Sequence, residues 1–326
     1  MKANPLLLGI GLLAAAATCA AQGTWSPQKN IEILVGSAPG GSNDKTARQI
    51  ERILIEKKLV DQPITVVNRA GGGGSIALNA LSQRAGDGHS MIVFTPTMLA
   101  NHITGATKFS YTQFTPIASL FNDFIAFVVH VDSPIQNGTD LREQLSKDPK
   151  SLTVGFASAF GSHNHIAIGL LMKSIGSNPR DLKAVAYKGS SEAVTNLLGR
   201  HIDLVTIGAG NVAGHVAAGR LRVVGISAPR RFTGAMAHIP TWKEQGVDLE
   251  VGGWRAIVGP KDLSSAQVAY WDGVLRQATR VPEWQDGLRK NHWFDDYISG
   301  PELTKHFDKQ YNDMKSVLVE LGLAKQ

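Results

Sequence analysis

Residues 31–49 read IEILVGSAPGGSNDKTARQ. An apolar strand stops on Pro39-Gly40-Gly41, passes the N-cap candidates Ser42 and Asn43, and runs into a helical pattern. Strand, glycine turn and helix start together make an anion cradle. Glycine lets the backbone turn tightly and approach a ligand, and the unpaired amides of the first helical turn point into the turn with the helix dipole behind them. The loop lacks the Gly-Lys-Ser/Thr ending of a nucleotide phosphate loop, so a small organic anion such as a carboxylate suits it better.

Working outward, the same device recurs. A strand over residues 64–68 leads through Gly71-Gly72-Gly73-Gly74-Ser75 into a helix over 76–84, and a strand over 91–94 leads through Thr95-Pro96-Thr97 into a short helix over 99–103. The middle third repeats it. Strand 152–157 precedes a small polar loop and helix 164–175, strand 184–187 precedes Lys188-Gly189-Ser190-Ser191 and helix 192–198, and strand 202–207 precedes helix 212–218. Strands alternating with helices at this spacing predict parallel sheets with helices on both faces and ligand loops at the strands' carboxyl ends.

The units fall into two groups of three, separated by the β-branched segment 124–131, with a similar segment at 222–227. These are read as crossing strands of a hinge. The expected fold is α/β and two-lobed: two open, mostly parallel sheets, joined by two strands, with the cleft between them as the site. Residues 22–126 and 227–326 form domain one and residues 127–226 an inserted domain two, of ordinary domain size. The last third adds a strand over 251–258, a helix over 264–280 capped by Ser264, and a final helix over 301–321.

Residues 1–21 have the form of a secretory signal: Lys2 supplies a positive start, an apolar run of about 12 residues follows, and Thr18-Cys19-Ala20-Ala21 is a small-residue cleavage zone. That run is shorter than the roughly 18 residues a spanning helix needs. A soluble periplasmic product is expected. Cys19 is the only cysteine, so cleavage after Ala20 or Ala21 removes all thiol chemistry; lipidation at Cys19 is the disfavoured alternative, because Thr18 suits that signal poorly. The net charge of +6 is scattered, aromatic residues make up only 7%, and no basic run carries interleaved aromatics, which argues against a nucleic-acid partner.

Three stretches carry a family resemblance: Val35-Gly36-Ser37-Ala38-Pro39-Gly40-Gly41-Ser42-Asn43-Asp44; Val67-Asn68-Arg69-Ala70 through Gly71–Ile76 to Asp87-Gly88; and Tyr187-Lys188-Gly189-Ser190 with Leu197-Leu198-Gly199 and Ile202-Asp203. In order and spacing the chain resembles the solute-binding receptors of tripartite tricarboxylate transporters, the Bug or TctC-like proteins. The resemblance implies a monomeric periplasmic binding protein of the Venus-flytrap kind, not an enzyme and without cofactor or metal, that captures a small carboxylate and delivers it to a membrane permease. It further implies a ligand site made of Ser37, Gly41, Ser42, Asn43 and Asp44 in the first loop, Gly72, Gly73, Gly74 and Ser75 in the second, and Thr95 and Thr97 at the third strand end. Domain two would contribute Ala159, Gly161, Ser162, His163, Lys188, Gly189, Ser190 and Asp203. The chain departs from the family pattern at Ser37, Ala38 and Ala70 and in the GSHNH run at 161–165, all near the expected ligand.

The residues leave several alternatives open. Asp44 reads most simply as a first-turn acid stabilising its helix dipole, Arg69 more as a brace between loops than as a ligand contact, Lys188 more as a solvated surface cation, and Trp254 equally as core or cleft wall. His163 and His165 lack a third converging ligand and the sequence has no HExxH or CxxC, so a metal is not expected. Gly225-Ile226-Ser227-Ala228-Pro229 misses the last glycine of a nucleophile elbow, which leaves a small-acid hydrolase the weakest reading. A ligand-sensing role beside a membrane sensor kinase is the alternative to transport. Bulky substitution of Gly41 or Gly73 is expected to abolish binding and leave the fold intact.

Overall fold

The computed structural model describes residues 25–325; the signal sequence read at residues 1–21, with Cys19, lies outside the described residues. In chain order the elements are β1 (Ile31–Val35), α1 (Ser42–Glu56), β2 (Ile64–Asn68), α2 (Ser75–Ser82), β3 (Ser90–Phe94), α3 (Pro96–Ile103), β4 (Thr115–His130) and α4 (Gly138–Lys147). They continue with β5 (Thr153–Ala157), α5 (His163–Ser174), β6 (Lys183–Tyr187), α6 (Ser190–Leu198), β7 (Leu204–Gly208), α7 (Ala213–Ala217) and β8 (Leu221–Ile226). The chain closes with β9 (Gly252–Gly259), α8 (Ser265–Ala278), α9 (Pro282–Asn291), β10 (Phe294–Ser299) and α10 (Gly300–Glu320).

The strand order β2-β1-β3-β9-β4-β7-β5-β6, with β8 and β10 also on β4, is one mixed sheet that serves two lobes. At each end three strands run parallel: β2, β1 and β3 in lobe one, β6, β5 and β7 in lobe two. The centre is antiparallel, because β4 meets β9, β10, β7 and β8 in that sense. The parallel reading therefore holds for the strand–loop–helix units, whereas the connecting strands return directly and need no crossover helix.

Period-two alternation places the cores. Ile31, Ile33 and Val35 face one core with α1, α8 and α9, while Leu34 faces another with α2, α3 and α10. In lobe two, Phe124, Ala126 and Val128 of β4 pack on one face and Ile125, Phe127 and Val129 on the other. Fully buried on both faces, these strands read as near-continuous apolar runs. Residues 228–249, expected in domain one, pack most of their apolar side chains beside β4, β7 and β8, and Phe232 also meets His292 and Phe294. Their Phe232, Met236 and Ile239 join one core of lobe two and Trp242, Val247 and Leu249 the other, so burial holds the segment there without regular strands.

The lobes meet where β4 changes neighbours. Phe124 still pairs with Gly252 of β9, and Ile125 already pairs with Gly208 of β7. Ser227, fully buried, fastens the crossing. Its amide donates to the Ile125 carbonyl (2.8 Å), its hydroxyl accepts from the Ile125 amide (2.9 Å) and donates to the Val251 carbonyl (2.6 Å), and the Val251 amide donates back to the Ser227 carbonyl (3.1 Å). All three crossing segments thus share one serine.

Candidate functional site

The first glycine loop delivers two things to the cleft. Gly41, not Ser42 or Asn43, is the N-cap of α1 (φ −82°, ψ 174°), and no side chain caps the helix, so its leading amides remain available. Ser42, one residue in, spends its hydroxyl on the hinge: it donates to Asp123 Oδ2 (2.8 Å) and accepts from Asn211 Nδ2 (2.8 Å). Opposite stands α6 of lobe two, also capped by a glycine, Gly189, and also without a side-chain cap. A Cβ on Gly41 would lie 3.6 Å from Ser190 Oγ, and one on Gly189 would lie 3.3 Å from the Ala38 side chain. Two uncapped helix N-termini, one from each lobe, therefore face each other across the gap.

The cleft between them is lined by Ser37, Gly41, Ser42, Asn43 and Thr95 of lobe one, by Ala157, Ser158, His163, Asn164, Gly189 and Ser190 of lobe two, and by Arg255 of β9. At this separation of the lobes its free interior is ≈ 20 Å³, room for about one water. Ser37 Oγ, Asn43 Oδ1 and Asn164 Oδ1 are buried there without a hydrogen-bond partner. An unpaired buried polar atom costs about 1–3 kcal/mol, so each of the three has hydrogen-bonding capacity that a polar guest could use. Ser158 holds a left-handed backbone (φ 82°), a conformation that costs of order 1–3 kcal/mol and is enriched at ligand sites.

Charge at the floor is paired. Arg255 and Asp123 are both almost fully buried, with Arg255 Nη2 3.3 Å from Asp123 Oδ2, and Arg255 Nη1 donates to the Gly253 carbonyl. Burial pushes the Asp123 carboxyl up, opposed by the Arg255 charge, the Ser42 hydroxyl and Lys45. His163 is held well below its ordinary value by burial and then by Arg255, which keeps the ring neutral; its Nδ1 lies 3.2 Å from Thr97 Oγ1. Burial likewise lowers His165 to about 4. The cleft thus offers helix-terminal amides and neutral polar side chains around one paired cation, an environment in which an anion would meet little ion-pair desolvation.

Several expected residues serve elsewhere. The Asp44 carboxylate accepts from the Gly40 amide (2.9 Å), Asn68 Nδ2 (3.0 Å) and Arg48 Nε (3.1 Å), bracing the loop from behind, and these donors lower its pKa against the opposing effect of burial. Gly72, Gly73 and Gly74 fold onto α3, where Asn101 Nδ2 donates to the Gly72 and Gly73 carbonyls and to Ser75 Oγ (2.9, 3.0 and 3.2 Å). Bulk at Gly73 would strain the fold as well as the loop, because its φ is +61° and a Cβ would lie 2.9 Å from Asn101. Thr97 reaches the site through His163. Ser162 caps α5, Gly161 packs toward Thr104 and Leu318, and Ala159 is half-buried outside the lining. Lys188 is exposed. Asp203 lies at the amino end of β7, away from the cleft, accepting from the Thr153 amide (2.7 Å). Trp254 is core, against Phe94 and Phe307.

Asn164, Ser158, Arg255, Asp123 and Asn211 escaped the sequence reading. Arg255 and Asp123 carried a signal: each is the lone charge in an apolar strand, GGWRAIV and NDFIAFVV, where an unpaired charge would be costly. Among the described residues, no group of three or more His, Cys, Asp or Glu could hold a metal ion.

Known proteins resemble this chain over most of its length. The model of the tripartite tricarboxylate transporter family receptor matches residues 46–323. The protein BugT of Bordetella pertussis is 29% identical over 269 residues, 80% of each chain. Among solved structures, the periplasmic binding protein BugD superposes with a TM-score of 0.82 at 22% identity, covering 92% of this chain and 100% of that one. A Rhodopseudomonas palustris protein with bound malate gives 0.80 at 22% identity (90% and 99%), and an R. palustris protein with adipate gives 0.84 at 24% (91% and 99%).

Proposed function

This chain belongs to the tripartite tricarboxylate transporter receptor family, a family of solute-binding receptors, and we propose that it captures a small carboxylate between its lobes in the periplasm and presents it to a tripartite membrane permease. The observation that carries this reading is the pair of uncapped helix N-termini at Gly41 and Gly189. Each contributes free amides and the positive end of a dipole, worth about 0.3–1 kcal/mol at an exposed site and up to ~2 when partly buried, and an anion between them is drawn to both lobes at once. A ligand that touches both lobes binds the closed form better than the open one, which is the thermodynamic requirement for driving closure. The small interior requires the lobes to part before a guest enters, and the crossing at Phe124, Ser227 and Val251 is the place to bend. The structural relatives with malate and adipate support a carboxylate as the guest.

The test is a thermal-shift panel of small carboxylates, with amides or esters of matching size as controls. A ligand at ~1,000 times its Kd should add about 4 kcal/mol of stability. A shift by acids and none by the neutral analogues is the expected result. Equal shifts by both would overturn the cradle, and turnover of a recovered ligand would overturn a binding role.

A further inference from the structure

A second space adjoins the cleft. It is a pocket of ≈ 230 Å³, open to solvent on one side, between α5, β9 and α10, and His163 belongs to the walls of both spaces. Its lining is mixed: Phe124, Ile166, Leu170, Met314 and Val317 supply apolar side chains, and Asn122, Gln310, Glu250 and Asp313 polar ones. No lysine or arginine lines it; the charged residues in its lining are Glu250 and Asp313. His163 is the partition between the polar cleft and this chamber.

The partition is itself divided between the lobes. His163 opens α5 of lobe two, whereas what it touches belongs to lobe one: Thr97 Oγ1 at 3.2 Å, and the Gly253 backbone, where even a Cβ would collide with Nε2. Parting of the lobes would carry the ring away with lobe two and join the two spaces. A guest longer than the cradle can then be enclosed with its carboxylate at the helix N-termini and its body beyond the histidine.

We infer that the chamber behind His163 is the subsite for the body of the ligand, and that the preferred ligand is a monocarboxylate carrying an uncharged apolar chain or ring. The inference rests on the carboxylate reading of the cleft and adds the chemistry of the ligand's other end. Size agrees: a volume of about 150 Å³ accommodates benzene, so ≈ 230 Å³ has room for a ring or a short chain. Charge agrees as well. A second carboxylate would meet Glu250 and Asp313 with no cation in the lining to offset them, so a dicarboxylate of equal length is the poorer guest.

Calorimetric titration of the protein with the straight-chain acids from butanoate to octanoate, with 3-phenylpropionate, and with succinate and adipate tests this. Affinity should rise about fourfold per methylene until the chamber is full, the value expected for burying one CH₂. Phenylpropionate should join the upper end of the series, and adipate should bind more weakly than hexanoate. Leu170→Trp and, independently, Val317→Trp should flatten the series by filling the chamber, so that octanoate loses most of its advantage over butanoate. A flat wild-type series alongside tight succinate or adipate would overturn the chamber and leave the cradle standing. A slope that survives both tryptophans would overturn it too. Failure of every acid to bind would overturn the carboxylate reading and the chamber with it.

Discussion

The two glycine loops of lobe one look alike as sequence and behave differently as structure. Both follow a strand and precede a helix, yet the loop at Gly40-Gly41 faces the opposite lobe and lines the cleft, whereas the four glycines at 71–74 turn inward onto Asn101. Their backbones show why. Gly41 has an ordinary extended conformation, and a Cβ there would only touch Ser190 at van der Waals distance, so its lack of a side chain serves the neighbouring lobe and the guest. Gly71, Gly72, Gly73 and Gly74 all have positive φ, between 55° and 128°, and a Cβ on Gly36 would come within 2.7 Å of the Gly74 Cα. There the glycines are needed for the chain to pass its own backbone. A glycine run before a helix thus has two uses, and only the conformation separates them.

Mutations can break this contrast. The largest stability loss is expected at Asp123, which anchors the first loop through Ser42. Asp123→Ala leaves Arg255 buried and unpaired and should cost about 3–5 kcal/mol in denaturant unfolding. A double variant with Arg255→Met should recover part of it, and an undiminished loss would mean the pair is not the cause. Gly74→Val comes next, at about 2–5 kcal/mol, because its φ is +98° and a side chain would run into Met98. Its counterpart Gly41→Val should change stability by less than about 1 kcal/mol yet weaken ligand binding at least 100-fold by blocking approach to Ser190. Should the two valines have the same effect, the distinction between the loops is lost.

Asn101→Leu removes the donor that holds the second loop and should cost about 1–3 kcal/mol with affinity nearly unchanged. The smallest effect is one of pH. The brace of the first loop, Asp44, has a pKa below its ordinary 3.8, so its contribution is full above about pH 5 and is lost as the pH falls through the folded-state value, where the unfolded chain has already taken up its proton. Comparing Asp44→Asn with wild type across pH 2–7 should show a stability gap that closes on the acid side, while Asn101→Leu shows a gap independent of pH.

Local pattern made most of the fold legible. The strand–glycine–helix units stand where apolar runs and breakers placed them, because each unit buries its own face within about thirty residues. What stayed hidden was fixed by distant partners. α9 begins at Pro282 after Val281, which caps nothing, and β10 reads FDDYIS, with more acid than a free strand would choose; it is recruited by pairing with β4. Residues 228–249 have no period to read and are held by the apolar side chains they bury. The cleft loops at Gly41 and Gly189 were visible from composition, but Arg255 becomes a site residue only through Asp123, 132 positions away in the chain.

Strand β4 also sets the order of assembly. Its second half finds its neighbours β7 and β8 within about the next hundred residues, whereas its first half pairs with β9 and β10, which are the last strands to leave the ribosome. Lobe two can therefore condense while lobe one still lacks the middle of its sheet, and the amino-terminal half must be kept from aggregating until residues 252–299 arrive. A chain wired this way is expected to fold from its middle outward.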